Sequence, residues 1–119
     1  MILITSSKTW RWIIPKCWPT EGKTPAQSAL QEAWEEAGVI GKCTDICLGL
    51  FSYRKYLEEA DGLPCVAMVY PVKVREMSDD FPEAGQRKRK WVSRNRAAKM
   101  VSEPELARIL RDFDPKLLE

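Results

Sequence analysis

The stretch Thr24 to Gly38, "TPAQSALQEAWEEAG", leaves its chain little freedom in local structure. Threonine before proline is a helix start, with Thr24 as the capping residue and Pro25 in the first helical position. Gly38 suits the left-handed residue that ends a helix. Between them, Ala29, Leu30, Ala33, Trp34 and Ala37 recur at helical spacing and predict a core-facing stripe on a helix from about Pro25 to Ala37. On another face Glu32, Glu35 and Glu36 stand at i, i+3 and i+4, with no lysine to relieve them until Lys42. Neighbouring like charges on a solvated helix repel by roughly 0.2–0.5 kcal/mol per pair. A divalent cation would turn that repulsion into attraction, because carboxylate oxygens suit Mg²⁺ or Mn²⁺. Spacing alone leaves two readings open, a solvated acidic face or a cation site.

Composition narrows the chemistry. The chain has 119 residues with a formal net charge of +2, which suits one domain over 1–119 and argues against a general nucleic-acid binder. No apolar run reaches membrane-spanning length, and "MILITSSKTWRW" does not read as a secretory leader. Cytoplasmic residence follows as an expectation, with Cys17, Cys43, Cys47 and Cys65 as free thiols. Histidine is absent, which removes Ser-His and Cys-His nucleophile arrangements and makes a zinc site a poor fit. Catalysis must then rest on carboxylates, lysines or a hard metal ion.

Along the chain, "MILIT" and "TWRWIIP" read as strands and "KCWPTEGKT" as a loop. "DICLGLFSYRKYL" reads as a strand, "EEADG" as a turn with the hairpin signal Asp61-Gly62, and "PCVAMVYPVKV" as the strongest strand. "REMSDDFPEAGQRKRK" reads as a long polar loop and "KWVS" as a short strand. Ser93 caps a helix through about Met100, and a last helix runs from about Glu103 to Phe113. This order predicts an α+β fold or an α/β sandwich. Trp12 and Trp34 are assigned to core packing. In "QRKRK", residues 86 to 90, alternate residues are expected to point outward as a solvated face, and Arg87 or Arg89 is a candidate phosphate contact.

Residues 17 to 39, "CWPTEGKTPAQSALQEAWEEAGV", resemble the signature box of the Nudix hydrolases. Glu32, Ala33, Glu35, Glu36, Gly38 and Val39 match its second half. "RWIIPKCWPTEGKTPAQSALQEAWEEAGVIG" and "QRKRKW", with two short helices after it, look like a bacterial branch related to diphosphoinositol polyphosphate phosphohydrolases. The resemblance implies an α/β/α sandwich with a mixed sheet, here beginning without the first strand. It also implies metal-dependent hydrolysis of a pyrophosphate linkage in a nucleoside diphosphate derivative, dinucleoside polyphosphate or inositol pyrophosphate. By the same resemblance Glu32, Glu35 and Glu36 hold Mg²⁺ or Mn²⁺. Glu35, Glu36 or a distant carboxylate acts as base, and Glu83 is the distant candidate. Arg11, Lys16, Arg54 and Lys55 are the candidates for contact with the phosphorylated substrate.

Three positions depart from the box. Cys17 stands for a glycine, Lys23 for a glutamate, and Gln31 for an arginine that pairs with a box glutamate. Gln31 keeps a donor but loses the charge and the two-pronged geometry. An alternative expectation follows, a catalytically weakened Nudix-like domain that binds a phosphorylated ligand or a protein partner. A missing strand would also bare a sheet edge at "MILIT", which predicts a homodimer with strands exchanged or paired.

Overall fold

The computed structural model describes residues 1–5, 12–15, 22–55, 63–114 and 116. In chain order it has strands β1 (Ile2–Thr5) and β2 (Trp12–Ile13), helix α1 (Pro25–Ala37), and strands β3 (Val39–Cys43), β4 (Gly49–Lys55), β5 (Leu63–Val69), β6 (Val72–Met77) and β7 (Arg89–Trp91). Helices α2 (Arg94–Met100) and α3 (Pro104–Asp112) follow.

Strand β1 organises the layers. Its side chains alternate across the pleat, so Leu3 and Ile4 point to opposite faces, and both are fully buried. Leu3 joins Phe51, Val69, Val92, Ala97, Val101, Leu106 and Leu110, which draws α2 and α3 against one side. Ile4 joins Ile13, Ala33, Ala37 and Val39, which draws α1 against the other. A strand buried on both faces between helices gives the three-layer α/β/α order expected of the sequence. Burying each such side chain contributes roughly 1.5–3 kcal/mol.

The strands pair as three small sheets, β2-β1-β7, β3-β6 and β4-β5. Every pairing among the described residues is antiparallel, so the parallel component of a mixed sheet is not seen in them. Strand β1 is not an edge. It pairs with β2 through Ile4 and Ile13, and with β7 through Ile2 and Trp91. The bare edge that motivated strand exchange is therefore closed within one chain.

Strands β4 and β5 pair antiparallel from Gly49 with Val69 to Lys55 with Leu63, while Asp61 and Gly62 of the expected turn lie outside the described residues. The expected long strand "PCVAMVYPVKV" divides into β5 and β6 around Tyr70 and Pro71, and Pro71 offers no N–H to a ladder. Strand β3, absent from the sequence-based reading, pairs with β6 around Gly41. A Cβ at Gly41 would stand 2.0 Å from the Lys73 carbonyl oxygen, so only glycine lets the two backbones approach this closely. Trp12 packs at the rim of the Leu3 cluster. Trp34 and Leu30 are only half-buried and line a cavity of about 620 Å³ with Lys23, Gln27 and Gln31, which corrects their assignment to the core.

Candidate active site

Helix α1 begins as its sequence dictates. The Thr24 hydroxyl accepts from the Gln27 amide at 3.2 Å, and the Gln27 side chain accepts from the Thr24 amide at 2.9 Å. This reciprocal capping box satisfies two of the first turn's free N–H groups. At the other end, Gly38 takes φ 70°, ψ 25°, and its N–H returns to the Trp34 carbonyl at 2.9 Å. The last turn of α1 carries no basic residue to meet its remaining carbonyls. The polar segment after β6 does so.

That segment folds over the end of α1. The Ser78 amide donates to Gly38 O at 2.8 Å, and the Glu83 amide donates to Glu35 O at 3.0 Å. The Arg89 guanidinium donates to Ala37 O at 2.9 Å and Ser78 O at 2.7 Å, and pairs with Asp79 at 2.7 Å. Its carbon lies 4.9 Å from the centre of the buried Phe81 ring. A cation at a helix C-terminus also meets the negative end of the helix dipole. Gly38 is required twice over here. A Cβ would meet Ser78 O at 2.4 Å and Phe81 Cδ1 at 2.6 Å, and φ is already in the left-handed region.

The same fold carries charge to the box glutamates. Turn bonds from Ala84 N to Phe81 O and Gln86 N to Glu83 O, each 3.0 Å, set Arg87 one turn beyond Glu83. Arg87 Nε then meets Glu83 Oε1 at 3.1 Å, and Arg87 Nη2 meets Glu36 Oε1 at 3.5 Å. Glu36 is buried, as few unpaired carboxylates can be. Glu35 is half-buried and accepts from Gln31 Nε2 at 3.0 Å, so Gln31 does supply the donor that its position requires. The Gln31 amide oxygen, Oε1, is buried with no hydrogen-bond partner among the described residues. Glu32 is half-buried on α1.

The structure thus brings Glu35, Glu36 and Glu83 to one end of α1. The other candidates are not gathered there in the described part. Arg54 and Lys55 end β4, opposite Pro64 and Leu63, and their side chains lie outside the described part. Arg11, Lys16 and Cys17 lie outside the described residues, and Lys23 is exposed beside Thr24. In "QRKRK" the alternation holds: Lys88 and Lys90 face outward while Arg87 and Arg89 turn inward. The two arginines engage carboxylates and carbonyl oxygens, and the pairing of Arg87 with Glu36 was not anticipated. The i, i+4 spacing of Glu83 and Arg87 signals their mutual pair, but no local spacing signals the pair with Glu36.

A hard divalent cation needs several oxygen donors converging on one point. The α1 acids are the right donor type. As arranged here they do not fit: among the described residues no three acidic or thiol side chains converge on a cation position, and Glu36 is engaged by Arg87.

Comparison with known proteins identifies the homologues. No family model matches the chain. It is 27% identical to Nudix hydrolase 12, mitochondrial, of Arabidopsis thaliana over 116 residues, covering 95% of this chain and 57% of that protein. It is 30% identical to Nudix hydrolase 16, mitochondrial, of the same plant over 107 residues, covering 87% of this chain and 59% of that protein. It is 30% identical to diphosphoinositol polyphosphate phosphohydrolase 3-beta of Homo sapiens over 104 residues, covering 84% and 59%. The chain therefore spans 57–59% of the length of these relatives. Its curated homologues over most of its own length are Nudix hydrolases, and the α/β architecture agrees with that fold. Enzymes of this kind generally use divalent metals. No helix among the described residues is long and apolar enough to cross a membrane.

Proposed function

We propose that this chain is a Nudix-type pyrophosphohydrolase, one domain over 1–119, that cleaves a pyrophosphate linkage in a small phosphorylated substrate. The observation that supports the proposal is that the last turns of α1 carry Glu35 and Glu36 and that a backbone bond from the following loop brings Glu83 to the same helix end, where Arg87 meets both Glu83 and Glu36. Hydrolysis of a pyrophosphate needs a base for the attacking water and positive charge against the developing negative charge. Glu35 and Glu36, with Glu83 beside them, are the base candidates on this chain. Arg11, Lys16, Arg54 and Lys55 are the proposed substrate-facing cations. The metal requirement, Mg²⁺ or Mn²⁺ on Glu32, Glu35 and Glu36, rests on the family resemblance and on the donor type. Nucleoside diphosphate derivatives, dinucleoside polyphosphates and inositol pyrophosphates are the substrate classes to test.

The test is release of phosphate or nucleotide from that panel, with and without Mg²⁺ or Mn²⁺, for wild type and Glu35→Gln. Turnover that requires metal and falls at least about 100-fold in Glu35→Gln supports the proposal. Turnover without metal, or unchanged in the variant, overturns it.

A second reading is favoured by one observation. Gln31 stands where the family's paired arginine is found, and half of its amide is buried without a partner among the described residues. In this reading the chain binds a phosphorylated ligand or a protein partner and turns over little. Restoration of turnover in the Cys17→Gly, Gln31→Arg double variant of an inactive wild type would select it. A cytoplasmic site fits the free thiols Cys43, Cys47 and Cys65. The homodimer of the sequence reading now needs another contact surface, because β1 is paired on both sides, and sedimentation velocity across a concentration series decides it.

A further inference from the structure

We infer that the outer edge of β5 is an interaction surface for the same edge of a second copy of this chain, paired antiparallel about a two-fold axis. The inference stands apart from the hydrolase reading and uses none of its site residues.

The two edges of the β4-β5 ribbon are finished differently. In an antiparallel pair, opposed residues turn their N–H and C=O groups either toward each other or both outward. The Ser52 amide donates to Glu105 of α3 at 3.3 Å, and so points away from β5. Val66 stands opposite Ser52, so its own N–H and C=O point away from β4. Met68, opposite Leu50 and two residues on, repeats that direction. Glu105 meets the outward Ser52 amide on the β4 side. On the β5 side no strand among the described residues takes up the outward groups, and Val66 and Met68 are 69% and 48% exposed. Such a row of free donors and acceptors is a template for another strand.

Charge selects the occupant. Strand β5, "LPCVAMV", carries no charged side chain, whereas β3 has Lys42, β6 has Lys73 and Arg75, and β7 has Lys90. A two-fold axis beside any of those strands brings a charge toward its own copy, and like charges across a sheet repel. Strand β5 brings none. Pro64 has no N–H, so the register that uses the outward amides of both copies sets Val66 of one against Met68 of the other, with Ala67 on the axis. Leu50, Val66 and Met68 share one face of the ribbon, and Leu50 is 55% exposed. In the pair this face joins its copy as one apolar strip, the self-complementary arrangement that a two-fold interface requires.

The test is sedimentation velocity across a concentration series for wild type, Val66→Lys and Ile46→Lys. Ile46 is 49% exposed but precedes β4, so its variant makes the same change in polarity away from the edge. Wild type is expected to form a reversible dimer, and Ile46→Lys to dimerise alike. Val66→Lys is expected to raise the dimer dissociation constant at least about 10-fold, because it sets like charges across the axis. A wild type that stays monomeric throughout overturns the inference. So does a Val66→Lys protein that dimerises as tightly as wild type, or an Ile46→Lys protein that loses the dimer to the same degree. If Val66→Lys does not fold, amide hydrogen exchange of the wild type decides. The Val66 and Met68 amides must exchange more slowly where the dimer forms than where the monomer prevails, while the Ser52 amide stays unchanged. Equal exchange of Val66 and Met68 in the two conditions overturns the inference.

Discussion

The two ends of α1 are built on different principles. The N-terminus is closed by residues three apart, Thr24 and Gln27, which satisfy each other's backbone amides within one turn. The C-terminus is closed by a segment about forty to fifty residues away in sequence, through Ser78, Glu83 and Arg89. The first end costs almost no loop closure and stabilises only the helix. The second ties helix, loop and β7 into one unit, and the candidate acids sit there. A local cap sets where a helix starts, and a distant one brings chemistry to it.

Substitutions at the two ends should separate in size. Gly38→Ala is expected to be the most damaging, because the added Cβ meets the Ser78 oxygen at 2.4 Å and φ is positive. We expect a loss of about 2–4 kcal/mol, seen in the urea midpoint, with activity lost as the loop moves off the helix. Arg89→Met should follow, at about 2–3 kcal/mol, because Ala37 O and Ser78 O lose a charged donor while the apolar contact with Phe81 is kept. A loss under half a kcal/mol would show that the backbone bonds alone hold the distant cap. Thr24→Ala should cost about 1 kcal/mol, with activity kept, since its cap reaches nothing beyond the first turn. If Thr24→Ala proves as costly as Gly38→Ala, the contrast between the ends is wrong.

The smallest effect belongs to Glu105, far from either end, in the first turn of α3. The Ser52 hydroxyl donates to it at 2.6 Å and the Ser52 amide at 3.3 Å, and these bonds hold its carboxyl below the ordinary glutamate range. A lowered folded value means that the ionised form stabilises the fold. That contribution is complete above the ordinary carboxylate range and fades as pH falls through the lowered folded value. Wild type and Glu105→Gln should therefore differ slightly in urea midpoint at pH 7 and converge in strong acid. A gap that widens in acid would reverse the assigned sign.

How much of the site could be read in advance differs between its members. Glu35 and Glu36 were legible because box spacing and helical periodicity agree over residues 31 to 39. Glu83 was legible only as an acid in a polar loop, since nothing local records which helix that loop will cap. Arg87 was legible only as part of a basic run, which usually reads as solvated surface with Arg87 or Arg89 a candidate phosphate contact; its pairing with Glu36 and Glu83 depends on what the fold lays against it. Strand β3 was missed because Gly41 weakens a strand signal, although that glycine is what permits its close pairing with Lys73.

The sequence by itself determined the limits of α1, its cap, the hairpin of β4 and β5 and the helices after Ser93. These depend on contacts a few residues apart or on backbone preferences that each residue carries with it. The tertiary structure alone decided that β1 is central, that Leu3 and Ile4 face opposite layers, and that Arg87 lies between Glu36 and Glu83. Those outcomes depend on which distant surfaces exclude water from each other, a property of no single stretch of chain.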